Sequence, residues 1–217
     1  MSITPEIVEP SMIERRSFEI IAAELPHPVS AELAPIVMRV IHTTADFDYL
    51  DNLCFSENAV LHAKQALSDG VSIVTDTNMA KAGINKAALK KLGGEVFCFM
   101  ADEDVKTASR ERGITRAALS MEKAAAMEKQ LIFAIGNAPT ALLKLHELIL
   151  AEKLPRPALI IGAPVGFVNV VQSKELIMEL DVPYIVARGR KGGSNVAAAI
   201  CNALIYELQK RYVEKVE

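Results

Sequence analysis

The sequence predicts an α/β fold: a three-layer, doubly wound, mostly parallel sheet of about five strands with helices on both faces, formed by residues 1–217 as a single domain. Three observations lead there. Short apolar runs alternate with longer segments of helical spacing, the pattern of crossover units that yields parallel strands covered on both sides. Between Leu131 and Ile200 one unit recurs three times: an apolar run, a tight turn of small residues, then a helix-like segment. The 217 residues, 51% hydrophobic and 24% charged, suffice for one sizeable core, and no linker interrupts them.

The elements follow in order. Ser11 to Leu25 carries Met12, Ile13, Phe18, Ile20 and Ile21 among charges, an amphipathic helix stopped by Pro26-His27-Pro28. A second helix starts after Ser30, its apolar positions Leu33, Ile36, Val37, Val40 and Ile41 at helical spacing, with Arg39 and His42 three apart on a neighbouring face. Both helices precede any strand, so they are expected to cap an edge or a face of the sheet, or to join a partner subunit. A helix from about Glu57 to Ser68 leads to the first strand, Val71 to Thr75, which ends in Asp76-Thr77-Asn78. After a turn at Ala82-Gly83, Lys86 to Lys91 forms a short helix closed by Gly93-Gly94, and Glu95 to Met100 is the second strand, followed by the acidic Ala101-Asp102-Glu103-Asp104. Alanine-rich Thr115 to Gln130 has high helix propensity, and Leu131 to Ile135 is strand three. Helix Thr140 to Glu152, strand Ala158 to Ile161, helix Phe167 to Leu180, strand Tyr184 to Ala187 and a last helix from Ser194 to about Tyr212 complete the series.

The formal charge of −3 comes with no basic or acidic tail, so neither nucleic acid nor a membrane surface is expected as a partner. No apolar segment approaches the roughly 18–20 residues that span a bilayer. Met1-Ser2-Ile3-Thr4-Pro5-Glu6 lacks the basic and apolar regions of a signal peptide, and a cytoplasmic protein is the expectation. Cys54, Cys98 and Cys201 are odd in number and widely spaced, which indicates neither a disulfide framework nor a zinc site; they read as small buried hydrophobes.

The turns of the recurring unit are Gly136-Asn137-Ala138-Pro139-Thr140, Gly162-Ala163-Pro164-Val165-Gly166 and Gly189-Arg190-Lys191-Gly192-Gly193-Ser194. In a parallel sheet such junctions share one edge, where helix N-termini favour anions. None matches Gly-x-Gly-x-x-Gly or Gly-x-x-x-x-Gly-Lys-Ser/Thr, so no nucleotide cofactor is expected. Arg188, Arg190 and Lys191 make the last turn a local anion site, or else a solvated charged loop. Of four histidines, His27 lies between prolines and His62 and His146 lie inside amphipathic helices. His42 ends its helix near Arg39, Thr43, Thr44 and Asp46, where an imidazole can donate and retake a proton without metal or cofactor, or simply stabilise the helix dipole. Asp46 would raise its pKa if the helix continued and Arg39 would lower it, so the sign stays open. The histidines are too scattered for a metal site, and neither Gly-x-Ser-x-Gly nor His-Glu-x-x-His occurs.

Taken together, Arg16-Ser17-Phe18-x-Ile20-Ile21, Met38-Arg39-Val40-Ile41-His42, Ala134-Ile135-Gly136-Asn137-Ala138-Pro139-Thr140-Ala141-Leu142, Gly162-x-Pro164-Val165-Gly166-Phe167-Val168 and Arg188-Gly189-Arg190-x-Gly192-Gly193-Ser194 resemble the precorrin-8X methylmutase family from about Glu14 to Leu208. The resemblance implies an isomerase of corrin-ring (cobalamin) biosynthesis. Such an enzyme moves a methyl group from C-11 to C-12 of precorrin-8X or cobalt-precorrin-8, giving hydrogenobyrinate or cobyrinate. It further implies a homodimer with substrate at the subunit interface, His42 as proton donor and acceptor, and Ser17 and Arg39 in contact with substrate. Arg116, in Gly113-Ile114-Thr115-Arg116, matches a basic position of the same pattern. The substrate is a wide apolar ring bearing many carboxylates, so it needs an apolar floor rimmed by cations, for which Arg39, Arg116, Arg188 and Arg190 are candidates. The competing expectation is a tetrapyrrole carrier with the same clamps and no catalysis.

Overall fold

The computed structural model describes residues 6–213, except for the side chains of 210–213; the expectation about a leader falls largely on residues 1–5, outside that range. A six-stranded sheet forms the middle layer: β1 (Leu53–Phe55), β2 (Ser72–Thr75), β3 (Val96–Phe97), β4 (Leu131–Ile135), β5 (Leu159–Gly162) and β6 (Tyr184–Ala187), in the order β1-β6-β5-β4-β2-β3. All neighbours are parallel except β1, which runs antiparallel to β6 with Cys54 opposite Val186. The strand count is therefore six rather than about five. Leu53–Phe55 escapes a pattern search because it is three residues long and only Leu53 is buried.

The central strands are apolar throughout because they are covered on both faces. Every residue of β4 and β5 is buried. One face carries α2 (Ala34–Thr44), α4 (Ala59–Ser68) and α11 (Ser194–Val213); the other carries α8 (Arg116–Ala125), α9 (Pro139–Leu150) and α10 (Val170–Met178). Helix α11 lies innermost, against α2, α4, α5 (Asn78–Gly83), β4 and β5. It buries residues around its circumference, among them the consecutive Val196, Ala197, Ala198, Ala199 and Ile200, as a helix enclosed on several sides must.

The two leading helices resolve differently. Helix α2 packs Ile36, Val37, Val40 and Ile41 into the core beside α11. Helix α1 (Ile13–Glu24) lies outside α2, burying only Ile21 and leaving Ile13 54% and Ile20 39% exposed. Three further helices, α3 (Tyr49–Asn52), α5 and α7 (Glu103–Arg112), occupy stretches where the sequence predicts only turns or loop; α6 (Lys86–Lys91) falls where expected. Helix α7 has no apolar stripe, since Val105 is its one buried residue, and its acidic first turn and basic last turn suit the helix dipole instead.

Chain order reverses between β2 and β4: β3 lies to one side of β2, and β4, β5 and β6 extend to the other. That is the position where open α/β sheets usually place a ligand, beyond the strands' carboxyl ends.

Candidate functional site

The crevice at this reversal is occupied by the protein itself. Asp76, directly after β2 and fully buried, accepts hydrogen bonds from the backbone N–H groups of Gly136 (2.9 Å), Asn137 (2.8 Å) and Ala138 (2.6 Å) in the turn after β4. Burial pushes this carboxyl above its ordinary range, and the three amides offset part of that rise. The first small-residue turn is thus a binding place for an internal carboxylate, not for an outside anion. Gly136 is obligatory there: a Cβ would stand 2.6 Å from the Cα of Ser194 and 2.8 Å from the carbonyl oxygen of Gly193. Thr77 caps α5 by accepting from the Ala80 N–H, and its hydroxyl lies 2.7 Å from that of Ser194. Gly193 donates to the carbonyl of Ala163 at 2.8 Å and Gly166 to that of Arg190 at 3.1 Å. The ends of β2, β4, β5 and β6 are therefore joined into one ledge.

Beside this ledge stands the pair α1 and α2. Arg39 lies between two rings, 5.2 Å from the centre of Phe18 and 5.0 Å from that of Tyr206, and its Nη1 is 2.8 Å from Glu14 Oε1. An apolar cleft of about 300 Å³ opens here, lined by Phe18, Pro35, Met38, Arg39, Ala203 and Tyr206 among others. One turn along α2, the exposed His42 sets its ring 5.3 Å from that of Phe18, tilted by 43°. Ser17 precedes Phe18 on α1 and donates its hydroxyl to the Ile13 carbonyl at 3.0 Å, leaving its oxygen lone pairs as the free polar element.

Helix α2 ends two residues after His42, and Ala45 follows in the left-handed region with φ 53°. The chain then turns so that Asp46 meets Lys191 at 2.6 Å, and Lys191 also meets Asp48 at 2.5 Å. The Lys191 side chain holds Asp46 below the usual carboxylate range. Asp46 is therefore engaged by the last small-residue turn, and no ion pair links it to His42.

The sequence-expected cations divide by partner. Arg188 forms a bidentate pair with Glu175 at 2.9 and 3.1 Å, Lys191 is held by two aspartates, and Arg39 by Glu14. Arg190 has no carboxylate partner among the described residues; its guanidinium lies 5.4 Å from the centre of the Phe167 ring, which is 78% exposed. Arg116 likewise lacks one, reaching only the Met100 carbonyl at 3.4 Å. It opens α8, whose cap Thr115 donates to Thr140 Oγ1 at 2.9 Å, so it stands at the same sheet edge but toward β3, without contact to the other expected site residues.

The structure thus places Arg39 and His42 against Phe18, with Ser17 next to it on α1, joins the segment after His42 to the turn of Arg188 and Arg190, and leaves Arg116 apart. Sequence reasoning did not single out Asp76, Tyr206 or Lys174, whose partners are remote in the chain. Of the other histidines, His27 pairs with Asp51 at 2.8 Å, which raises its pKa. Cys98 and Cys201 are buried as expected, with the Cys201 thiol pushed up to about 12 by burial, while Cys54 is half-buried on β1. Among the described residues no group of three or more His, Cys, Asp and Glu is arranged to hold a metal ion, and no helix is long and apolar enough to cross a membrane.

The family model for precorrin-8X methylmutase matches residues 12–207. A cobalt-precorrin-8 methylmutase of Priestia megaterium is 45% identical over 201 residues, covering 92% of this chain and 89% of that protein. A precorrin-8X methylmutase of Pseudomonas aeruginosa is 39% identical, covering 90% and 94%. The crystal structure of precorrin-8X methylmutase from Thermus thermophilus superposes with a TM-score of 0.83 at 40% identity, over 92% of this chain and 98% of that one.

Proposed function

The chain belongs to the precorrin-8X methylmutase family, an isomerase family of cobalamin biosynthesis, and from that premise we propose that it moves the methyl group from C-11 to C-12 of precorrin-8X or cobalt-precorrin-8, with His42 as proton donor and acceptor. The observation that carries the residue assignment is the position of His42: exposed at the end of α2, its ring against Phe18, one turn from Arg39 and next to the segment tied to the basic turn. Named methylmutases at this identity make the chain an enzyme, so the carrier reading is set aside.

The chemistry follows from the groups present. The ring's apolar faces suit the cleft at Phe18, Met38 and Tyr206 and the exposed Val165, Phe167 and Val168; its carboxylates suit Arg190 and Arg116, the expected cations without acidic partners. His42 gives a proton to the conjugated ring, which leaves C-12 electron-poor. The methyl group leaves C-11 with its bonding pair and bonds to C-12, and the proton returns to the imidazole. Nothing is added to or lost from the substrate, so the remaining contribution of the protein is to hold the ring in the reactive geometry.

We also propose a single domain working as a homodimer in the cytoplasm, the substrate lying at the subunit interface. The outward-facing apolar residues of α1 and of the turn after β5 support a covered surface at this place. The test is the visible spectrum of the protein incubated with precorrin-8X or its cobalt complex. The methyl shift changes the chromophore, and His42→Ala abolishes the change; a spectrum constant with the native protein would overturn the proposal.

A further inference from the structure

Lys174 on α10 is fully buried and has no carboxylate partner among the described residues. Its Nζ donates to the carbonyl oxygens of Gly189 at 2.7 Å and Lys191 at 2.8 Å, both in the turn after β6. Burial pulls this ammonium down to about 8. A buried cation without a counter-ion is costly even when carbonyl oxygens accept from it, so its retention beneath the basic turn calls for a role.

Peptide geometry supplies one. In a trans peptide the C=O and the following N–H point in opposite directions within one plane. Carbonyls of Gly189 and Lys191 turned toward Lys174 therefore turn the N–H groups of Arg190 and Gly192 away from it. The intervening Arg190 carbonyl is held separately, by the Gly166 N–H at 3.1 Å, so three successive peptide groups of this turn are oriented by named donors. Among the described residues neither the Arg190 nor the Gly192 N–H has a partner within the protein. Gly192 admits no side chain, because a Cβ there would collide with the carbonyl groups of Ala163 and Pro164, so this backbone passes close beneath the turn after β5.

We infer that Lys174 is a positioning residue for substrate binding: it shapes the Arg188–Gly193 turn so that the Arg190 and Gly192 N–H groups, with the unpaired Arg190 guanidinium, are presented to a substrate carboxylate. Successive amides and a guanidinium form a receptor for a carboxylate, and a fixed backbone binds it without an ordering cost. Lys174 acts through the turn and does not itself touch the ring. The inference rests on the methylmutase reading, which supplies the carboxylates.

The test uses the full chain and hydrogenobyrinate, the product of the proposed reaction. Lys174→Met keeps an unbranched side chain, one atom shorter, and removes its donors. It is expected to raise the Kd for hydrogenobyrinate and the KM for precorrin-8X about tenfold or more while kcat stays within about threefold, the signature of lost uniform binding. Unchanged Kd and KM would overturn the inference, as would a fall in kcat alone. Amide hydrogen exchange on the unaltered protein provides a measurement independent of whether that variant folds: the Arg190 and Gly192 amides should exchange freely alone and become protected with hydrogenobyrinate. Absence of that protection would also overturn it. The two readings fail separately: a native protein that does not convert precorrin-8X removes the methylmutase proposal and this one with it, whereas native turnover with an indifferent Lys174→Met removes this one only.

Discussion

Lys191 Nζ meets Asp46 Oδ2 at 2.6 Å across 145 residues of sequence, joining the loop that follows the catalytic candidate to the last turn of the sheet edge. Exposed ion pairs contribute little to stability, so the value of this one lies in placement. Asp46→Asn or Lys191→Met should lower kcat/KM about tenfold while thermal unfolding shifts by no more than a few degrees. Steady-state kinetics beside a melting curve separate the two; a large fall in Tm with normal kinetics would show the bridge to be structural only.

His42→Ala should lose turnover and keep hydrogenobyrinate binding within about tenfold, because the proposed carboxylate receptors are unaltered in that variant. Titration of the product's visible absorbance against the variant checks the second half. Full activity would remove His42 from the mechanism.

The division of the arginines by partner predicts unequal effects. Arg190→Glu, which puts a negative charge where no acidic partner is present, should weaken product binding by about tenfold or more at low salt and less at high salt. Arg188→Ala should matter less, because its guanidinium is already neutralised by Glu175. Affinity measured for both variants at two ionic strengths decides; equal effects would mean that the Glu175 pair opens on binding.

Asp76→Ala would leave three amides without their acceptor inside the ledge. The expected cost is about 3–5 kcal/mol, measured by denaturant unfolding, with Asp76→Asn intermediate because one amide oxygen replaces two carboxylate oxygens.

Lys174 carries a stability signature of its own. Its folded-state pKa, about 8, lies below the ordinary value of 10.5, so between those values the unfolded chain binds the proton that the native chain has released. The destabilisation is full below about pH 8 and fades as pH rises toward 10.5, by up to on the order of 3 kcal/mol. The difference in unfolding free energy between the native protein and Lys174→Met, followed from pH 7 to 10, should therefore shift in favour of the native protein as pH rises. A constant difference would show that the lysine ionises as it does in water.

The central strands were legible because burial on both faces leaves continuous apolar runs, as in Leu131–Ile135. Leu53–Phe55 was not, since an edge strand of three residues with one buried position has no periodicity to detect. Helix α7 was hidden for a related reason: charges at its two ends and a lone buried Val105 give no apolar stripe. At the candidate site, the spacing of Arg39 and His42 on one helix is legible locally and Ser17 enters only through the family resemblance, whereas the ring of Tyr206 over Arg39 and the carboxylate of Asp76 under Gly136 depend on contacts that no local spacing encodes. The anion-binding reading of the turn after β4 was right about its amides and wrong about the anion's source.

The sheet ends in two residues, Val96–Phe97, on one side and three, Leu53–Phe55, on the other. Strands so short expose too few free backbone groups to template another chain, so the protein is guarded against edge-to-edge aggregation at both borders. The homodimer proposed above would then form through helices and turns, whose side chains are specific to place, rather than through a sheet edge.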